Sequence, residues 1–180
     1  MKLMFASDIH GSAFYCERLL EAYRREGADR LCLLGDILYH GPRNDLPKGH
    51  DPKRVAALLN EAKNEILCVR GNCDAEVDQM VLEFPVLADY ALIIVDERTF
   101  FLTHGHRFNC DALPPLKRGD VLIYGHTHVP AAGEREGVHC LNTGSVALPK
   151  FGDLHTYILY ENGMFSIKTL EGDTIDTYNI

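Results

Sequence analysis

Apolar residues in this chain gather into short runs, and the runs tend to stop at a carboxylate, an amide or an imidazole. Residues 2–6, 31–34, 66–69 and 121–124 are too short for helices and read as buried strands. They lead into Asp8-Ile9-His10, Gly35-Asp36, Gly71-Asn72-Cys73-Asp74 and Gly125-His126-Thr127-His128. Between the first two strands a helical period appears over residues 13–26. Ala13, Cys16, Leu19, Leu20 and Tyr23 share one face, while Glu17, Arg18, Glu21, Arg24 and Arg25 take the other, and Gly27 is a natural stop. A second helix opens at Asp51-Pro52, with aspartate as N-cap and proline in the first helical position; Val55, Ala56, Leu58, Leu59 and Ala62 form its apolar face. Strand, helix, strand, helix, strand in this order predicts two right-handed crossovers and a parallel sheet. Ligands of such sheets collect at the carboxyl ends of the strands, where Asp8, Asp36 and Asn72 stand.

The second half changes character. Residues 90–95 and 99–102, joined by Asp96-Glu97-Arg98, predict a hairpin whose second strand runs into His104-Gly105-His106. Residues 138–141, 157–160, 165–169 and 174–178 are further strands, with turns at Glu161-Asn162-Gly163 and Glu171-Gly172-Asp173. A parallel first half and a hairpin-rich second half predict an α/β fold, two packed mixed β-sheets flanked by helices, over a single domain of residues 1–180. Residues 37–50 show no period but contain Gly41, Pro42, Pro47 and Gly49, and long irregular loops in compact domains are often functional.

A formal charge of −8 argues against a broad nucleic-acid or anionic-membrane surface, which needs basic patches. It leaves room for a small phosphate-bearing substrate, because bound cations invert the local field. The six cysteines include no Cys-x-x-Cys pair, and Cys16, Cys32 and Cys68 lie in apolar stretches where a reduced thiol acts as a small hydrophobe. With no leader-like segment at Met1 and no run long enough to span a membrane, the expectation is a reducing, cytoplasmic setting.

Collected from the strand ends, Asp8, His10, Asp36, Asn72, His104, His126 and His128 are oxygen and imidazole donors. That mixture suits Mn²⁺, Fe²⁺ or Zn²⁺ better than Ca²⁺, and it is too large for one tetrahedral ion but adequate for two. Asp8-x-His10, Gly35-Asp36, Gly71-Asn72-x-Asp74, His104 and Gly125-His126-x-His128 resemble, in order, the signature of the calcineurin-like metallophosphoesterases. Residues 36–44, Arg70 to Asp74 and Asn142-Thr143-Gly144-Ser145 are similar to the branch of small bacterial phosphodiesterases of the YfcE type. The resemblance implies a pair of sheets sandwiched between helices. It implies two divalent ions, Mn²⁺ foremost, with Fe²⁺, Zn²⁺, Co²⁺ or Ni²⁺ as alternatives. Asp8, His10 and His128 would hold one ion, Asn72, His104 and His126 the other, Asp36 would bridge them, and a hydroxide between the ions would attack phosphorus. It further implies a small phosphodiester as substrate and allows a homodimer or homotetramer. A phosphomonoesterase or nucleotidase of the same fold, and a non-catalytic interaction module, are the alternative readings.

Asn72, Arg70, His104 and Cys73 are the residues expected closest to the chemistry. Arg70 is expected to contact phosphate, with a salt bridge to a loop carboxylate as the alternative. Cys73 stands where many family members carry a histidine thought to protonate the leaving oxygen, so the general-acid step is left unassigned. His40, Arg43 and Asn44 are expected in the substrate wall, His40 foremost; His106 is expected either beside the metals or in solvent. Asp74 is expected to orient a neighbour or to cap a helix over residues 75–82. His50, His139 and His155 carry no motif and are expected to be ordinary strand or surface residues. Asn142-Thr143-Gly144-Ser145 should keep its turn because Gly144 retains the flexible position.

Overall fold

The computed structural model describes residues 1–180. The first half alternates strand and helix: β1 (Lys2–Ala6), α1 (Ala13–Glu26), β2 (Arg30–Leu33), α2 (Pro52–Glu61) and β3 (Ile66–Cys68). The second half is nearly all strand: β4 (Tyr90–Val95), β5 (Arg98–Thr103), β6 (Val121–Tyr124), β7 (Pro130–Arg135), β8 (Val138–Thr143), β9 (Thr156–Glu161), β10 (Met164–Thr169) and β11 (Thr174–Asn179). Helix ends follow their predicted chemistry. Ser12 caps α1 by accepting from Tyr15 N, Gly27 closes it in the left-handed conformation, and Asp51 caps α2 by accepting from Arg54 N.

The strands form two mixed sheets, one ordered β11-β10-β9-β1-β2-β3 and the other β4-β5-β6-β8-β7. In the first, β1, β2 and β3 are parallel, as the crossovers required, and β9 joins β1 antiparallel. The second contains the expected β4–β5 hairpin, but β5, β6 and β8 run parallel to one another. This parallel triplet was not legible in the sequence, because the connection from β5 to β6 is irregular chain rather than a helix. Strand β7 was also missed. Pro130-Ala131-Ala132-Gly133 has poor strand propensity, and the segment is extended because it pairs along all of β8 as an edge strand with proline at its first position.

The sheets pack face to face over Phe5, Leu34, Phe100, Ile123, Leu141, Ile158 and Phe165. Both α-helices cover the outer face of the six-stranded sheet through Cys16, Leu19, Leu20, Val55 and Leu59. The outer face of the five-stranded sheet is covered by loop residues Phe108, Cys110, Leu113 and Leu116 on Phe101, Leu122 and Tyr124. His139 bonds Tyr178 and His155 stacks on Tyr15, as befits ordinary scaffold residues. One end of the sandwich thereby receives the carboxyl ends of β1, β2, β3, β5 and β6, and every candidate ligand follows one of those strands.

Candidate metal centre

The turns that follow these strands are strained where the chemistry is. Asp8, His10, Asp36, His126 and His128 all have positive φ, between 49° and 67°. A non-glycine residue held there costs about 1–2 kcal/mol, so the five together cost on the order of 5–10 kcal/mol, comparable with the net stability of a domain. The cost is offset by hydrogen bonds between neighbouring turns. Asp8 N donates to Gly35 O (3.1 Å), His10 N to Asp36 O (2.9 Å) and His126 N to Asp8 Oδ2 (3.0 Å). Two glycines permit this closeness. A Cβ at Gly71 would overlap the Asp36 carboxylate, and one at Gly125 would overlap the Ser7 hydroxyl.

Most of the clustered side chains have one polar atom anchored and the other aimed inward. The Nδ1 atoms of His10, His104 and His128 lie 2.8, 2.7 and 2.6 Å from the carbonyls of Tyr39, Leu34 and Leu148. A carbonyl only accepts, so each Nδ1 carries a proton and each Nε2 is the atom turned toward the cluster, free to bind a cation when the ring is neutral. Asp8 Oδ2 is held by Ser7 Oγ and His126 N, while Oδ1 faces His128 Nε2 at 3.1 Å and His10 Nε2 at 3.5 Å. Asp36 Oδ1 accepts from Cys73 N (2.8 Å), while Oδ2 faces His104 Nε2 at 3.4 Å and His10 Nε2 at 3.7 Å. Asn72 Oδ1 and His126 Nδ1 approach His104 Nε2 at 3.0 and 3.2 Å.

These donors fit divalent cations. Asp8 Oδ1 is a buried acceptor with no hydrogen-bond partner, and the Nε2 atoms of His10 and His128 face each other at 3.4 Å. A buried oxygen left without a partner is costly, and a bound cation would satisfy it. Ligands about 2.0–2.2 Å from one ion are separated from each other by about 3.0–3.5 Å, close to most of the spacings found. Asp8, His10 and His128 form one compact group and Asp8, Asp36 and His104 a second, each with its donor atoms within 4.8 Å of one another. His10, Asp36 and Cys73 form a third, which brings the Cys73 thiol to the edge of the centre.

Electrostatics in the metal-free cluster are those of mutually dependent charges. Burial alone would lower the His104 imidazole, but the Asp8 and Asp36 carboxylates outweigh it and raise it to about 9. Burial would raise Asp8, yet His104, His10 and His128 hold it well below the usual carboxylate range. For the raised histidine, the stabilisation is complete below its unfolded pKa of about 6.5 and is lost as pH rises through about 9. Metal-free protein is therefore expected to melt at progressively lower temperature from pH 6.5 to 9, and excess divalent ion should flatten that decline. Thermal melts across the range, with and without metal, check this; parallel curves would contradict it.

The donors open onto a cleft of about 480 Å³ whose floor includes His10, Asp36, Asn72, His126 and His128. Arg43 and Asn44, from the loop after Asp36, form one wall and Cys73 another. Thr127 and Lys150 line it as well and were not anticipated. Thr127 was exposed to view by its place between two histidines, whereas nothing around Lys150 signals a site; it arrives because Lys150 N donates to His128 O (3.0 Å). Three other candidate substrate contacts do not line the cleft. His40 packs edge-on against Tyr39 and His50, and its carbonyl accepts from Asn44. Arg70 is captured by Asp74 O (3.1 Å) and Glu76 (3.7 Å), which is the salt-bridge alternative. His106 is exposed, its ring 5.5 Å from that of His104, and it lies outside the cleft lining.

Asp74 caps no helix, since residues 75–82 contain only the short 3-10 turn Asp78–Met80. Its buried carboxylate accepts from Asp36 N (2.8 Å), Ile37 N (2.9 Å) and Gly71 N (2.7 Å), binding the Asp36 turn to the Asn72 turn. Asp74→Ala would leave three N–H groups without an acceptor. Stability is expected to fall by about 2–5 kcal/mol, or roughly 5–15 °C in melting temperature for a chain of this size, with weaker metal retention; calorimetry and elemental analysis measure both. Asn142-Thr143-Gly144-Ser145 is more than the turn foreseen. Asn142 Nδ2 donates to Gly125 O and Thr127 Oγ1, both at 2.9 Å, and Ser145 Oγ donates to Asp8 O at 3.0 Å, tying the first and last ligand loops together.

Comparison with known proteins agrees with this architecture. Residues 1–163 match the calcineurin-like phosphoesterase superfamily domain. The chain is 49% identical over 175 residues to Phosphodiesterase YfcE of Escherichia coli (strain K12), covering 97% of this chain and 95% of that protein. It is 25% identical to Phosphodiesterase MJ0936 of Methanocaldococcus jannaschii, over 87% of this chain and 93% of the relative. The solved structure of the E. coli phosphoesterase YfcE superposes with a TM-score of 0.97 at 47% identity, all of both chains being covered. Vps29 of Entamoeba histolytica shares the fold, at a TM-score of 0.63 and 20% identity over 100% of this chain and 99% of that one. Strand-end ligands, a two-sheet sandwich and a full-length match together establish that this chain belongs to the calcineurin-like phosphoesterase superfamily.

Proposed function

We propose that this protein is a metal-dependent phosphodiesterase acting on a small phosphodiester. The observation that carries the reading is the buried Asp8 Oδ1 without a hydrogen-bond partner, faced by imidazole Nε2 atoms at the floor of a polar cleft. The E. coli relative at 49% identity bears the name phosphodiesterase, which supports it. Asp8, His10 and His128 would hold one ion, Asn72, His104 and His126 the other, and Asp36 would span both. When bound, two such ions lower the pKa of water to supply a nucleophile and take up charge on the phosphoryl oxygens. Anchoring of each Nδ1 on a carbonyl keeps His10, His104 and His128 in the metal-binding tautomer. Arg43 and Lys150 at the rim supply positive charge to a phosphate in a chain that is otherwise net acidic.

Mn²⁺ is the ion proposed, with Fe²⁺, Zn²⁺, Co²⁺ and Ni²⁺ as competitors. Chelation should abolish hydrolysis of a chromogenic diester, and Mn²⁺ should restore it best. Full turnover in protein shown by elemental analysis to be metal-free would sink the reading; preference for a monoester would favour the phosphatase alternative.

Residues 1–180 are proposed to act as one domain in the cytoplasm, a reading supported by six free cysteines. No helix is long and apolar enough to cross a membrane. Edge strand β4 exposes Tyr90, Leu92 and Ile94, which supports a dimer or tetramer; a monomer mass in sedimentation would refute that, and recovery in a membrane or secreted fraction would refute the location.

A further inference from the structure

The cleft is polar, but on its Cys73 side it adjoins a second hollow of about 420 Å³ with a different character. Leu38, Tyr39, Pro52, Ala75 and Val77 line this hollow together with the His50 ring, and Cys73 belongs to both walls. No lysine or arginine reaches it. Its one carboxylate, Asp78, is occupied by the Ala75 N–H at 2.8 Å. Tyr39 and Val77 are 45% and 61% exposed, an apolar surface left open beside a polar centre. The hollow is also held in register with the centre. The Tyr39 carbonyl accepts from His10 Nδ1, and Cys73 N donates to Asp36 Oδ1. A phosphorus seated over His10 and Asp36 would therefore place one of its ester substituents at a fixed offset from the hollow.

We propose that this hollow seats one ester substituent of the substrate, an uncharged apolar or aromatic group, and so selects diesters carrying such a group. The inference rests on the phosphodiesterase reading and narrows it. The occupant follows from continuity and charge. A second phosphate or a carboxylate would find no lysine or arginine there, only the His50 ring, and would face Asp78, whereas a flat apolar group can lie on Tyr39 and Val77. A monoester has no second substituent to place in the hollow and forgoes this contribution.

The test uses the Mn²⁺-loaded full chain, with hydrolysis of bis(p-nitrophenyl) phosphate as the readout and three competitors: inorganic phosphate, dimethyl phosphate and diphenyl phosphate. Diphenyl phosphate should inhibit at least about tenfold more tightly than dimethyl phosphate, the gain expected from burying an aromatic face. Tyr39→Ala and Val77→Asn should each remove most of that preference. Both side chains are exposed, so folding is spared; inhibition by inorganic phosphate and the bound metal content should stay unchanged, showing that the centre is intact. Equal inhibition by the two diesters in the unmodified protein, or a preference that survives both substitutions, overturns the hollow's role and leaves the phosphodiesterase reading standing. Absence of turnover with any diester in fully metal-loaded protein overturns both.

Discussion

Replacing Asp36 with asparagine should strip the centre of metal and of activity together. Asparagine keeps the shape of the side chain, and its Oδ1 can still accept from Cys73 N, the contact that anchors the turn. What is lost is the charge on Oδ2, the atom that lies 3.4 Å from His104 Nε2 and 3.7 Å from His10 Nε2. That oxygen lies between a histidine of each proposed set, so its effect falls on both proposed ions. The loss should far exceed the about 10–100-fold typical when a hydrogen-bond partner of a metal ligand is removed. Substitution of His40, which stands outside the cleft, should be mild by comparison. Elemental analysis, turnover and circular dichroism on the same preparation separate metal loss from unfolding. Two tightly retained ions with near-normal turnover in the variant would show that Asp36 does not span the centre.

Cys73→His should extend hydrolysis to poor leaving groups. Without bound ions, burial and the Asp36 carboxylate push the Cys73 thiol up to about 12, and a thiol is in any case a weak hydrogen bonder. Its side chain nevertheless overlooks the centre, with Sγ within 4.8 Å of the donor atoms of His10 and Asp36. Metal-assisted attack does not need a proton from residue 73, and an aryl oxide leaves without one. Cys73→Ala should therefore barely change turnover of an aryl diester. An alkoxide leaves slowly unless protonated, and general acid catalysis is typically worth about 10²–10⁴-fold. An imidazole at position 73 should recover part of that factor for alkyl leaving groups, or begin to admit monoesters. The competing role for Cys73 is as a metal ligand, which its grouping with His10 and Asp36 allows. In that case Cys73→Ala loses an ion and slows even aryl substrates by orders of magnitude. Rates across leaving groups of graded pKa, with metal content measured for each variant, decide between the two.

Much of the centre was legible before any folding was considered, and the reason is local. A buried strand is recognisable as a short apolar run, and the residue just past its end stands where the sheet stops covering the backbone. Asp8, His10, Asp36, Asn72, His104, His126 and His128 could be collected on that rule alone. The caps at Ser12, Gly27 and Asp51 likewise act within a turn of their own position, which explains why both helices fell close to where the periodicity placed them.

What lay beyond the sequence depends on partners distant along the chain. Strand β7 exists because β8 pairs with it; β5 and β6 are parallel because residues 104–120 cross over without a helix to announce it, and β8 parallels β6 because β7 turns the chain back along its far edge. Arg70 and His40 are long polar side chains near the centre in sequence, but local carbonyls and rings capture them first. Lys150 reaches the cleft only through the His128 carbonyl. The left-handed turns at five candidate ligands are likewise invisible in composition, since no residue there is glycine. Sequence thus determined which donors stand at the strand ends, because hydrophobic period and capping are short-range. Tertiary structure decided which atoms of those donors face one another, because that depends on hydrogen bonds between turns up to 137 residues apart, as from Ser145 to Asp8.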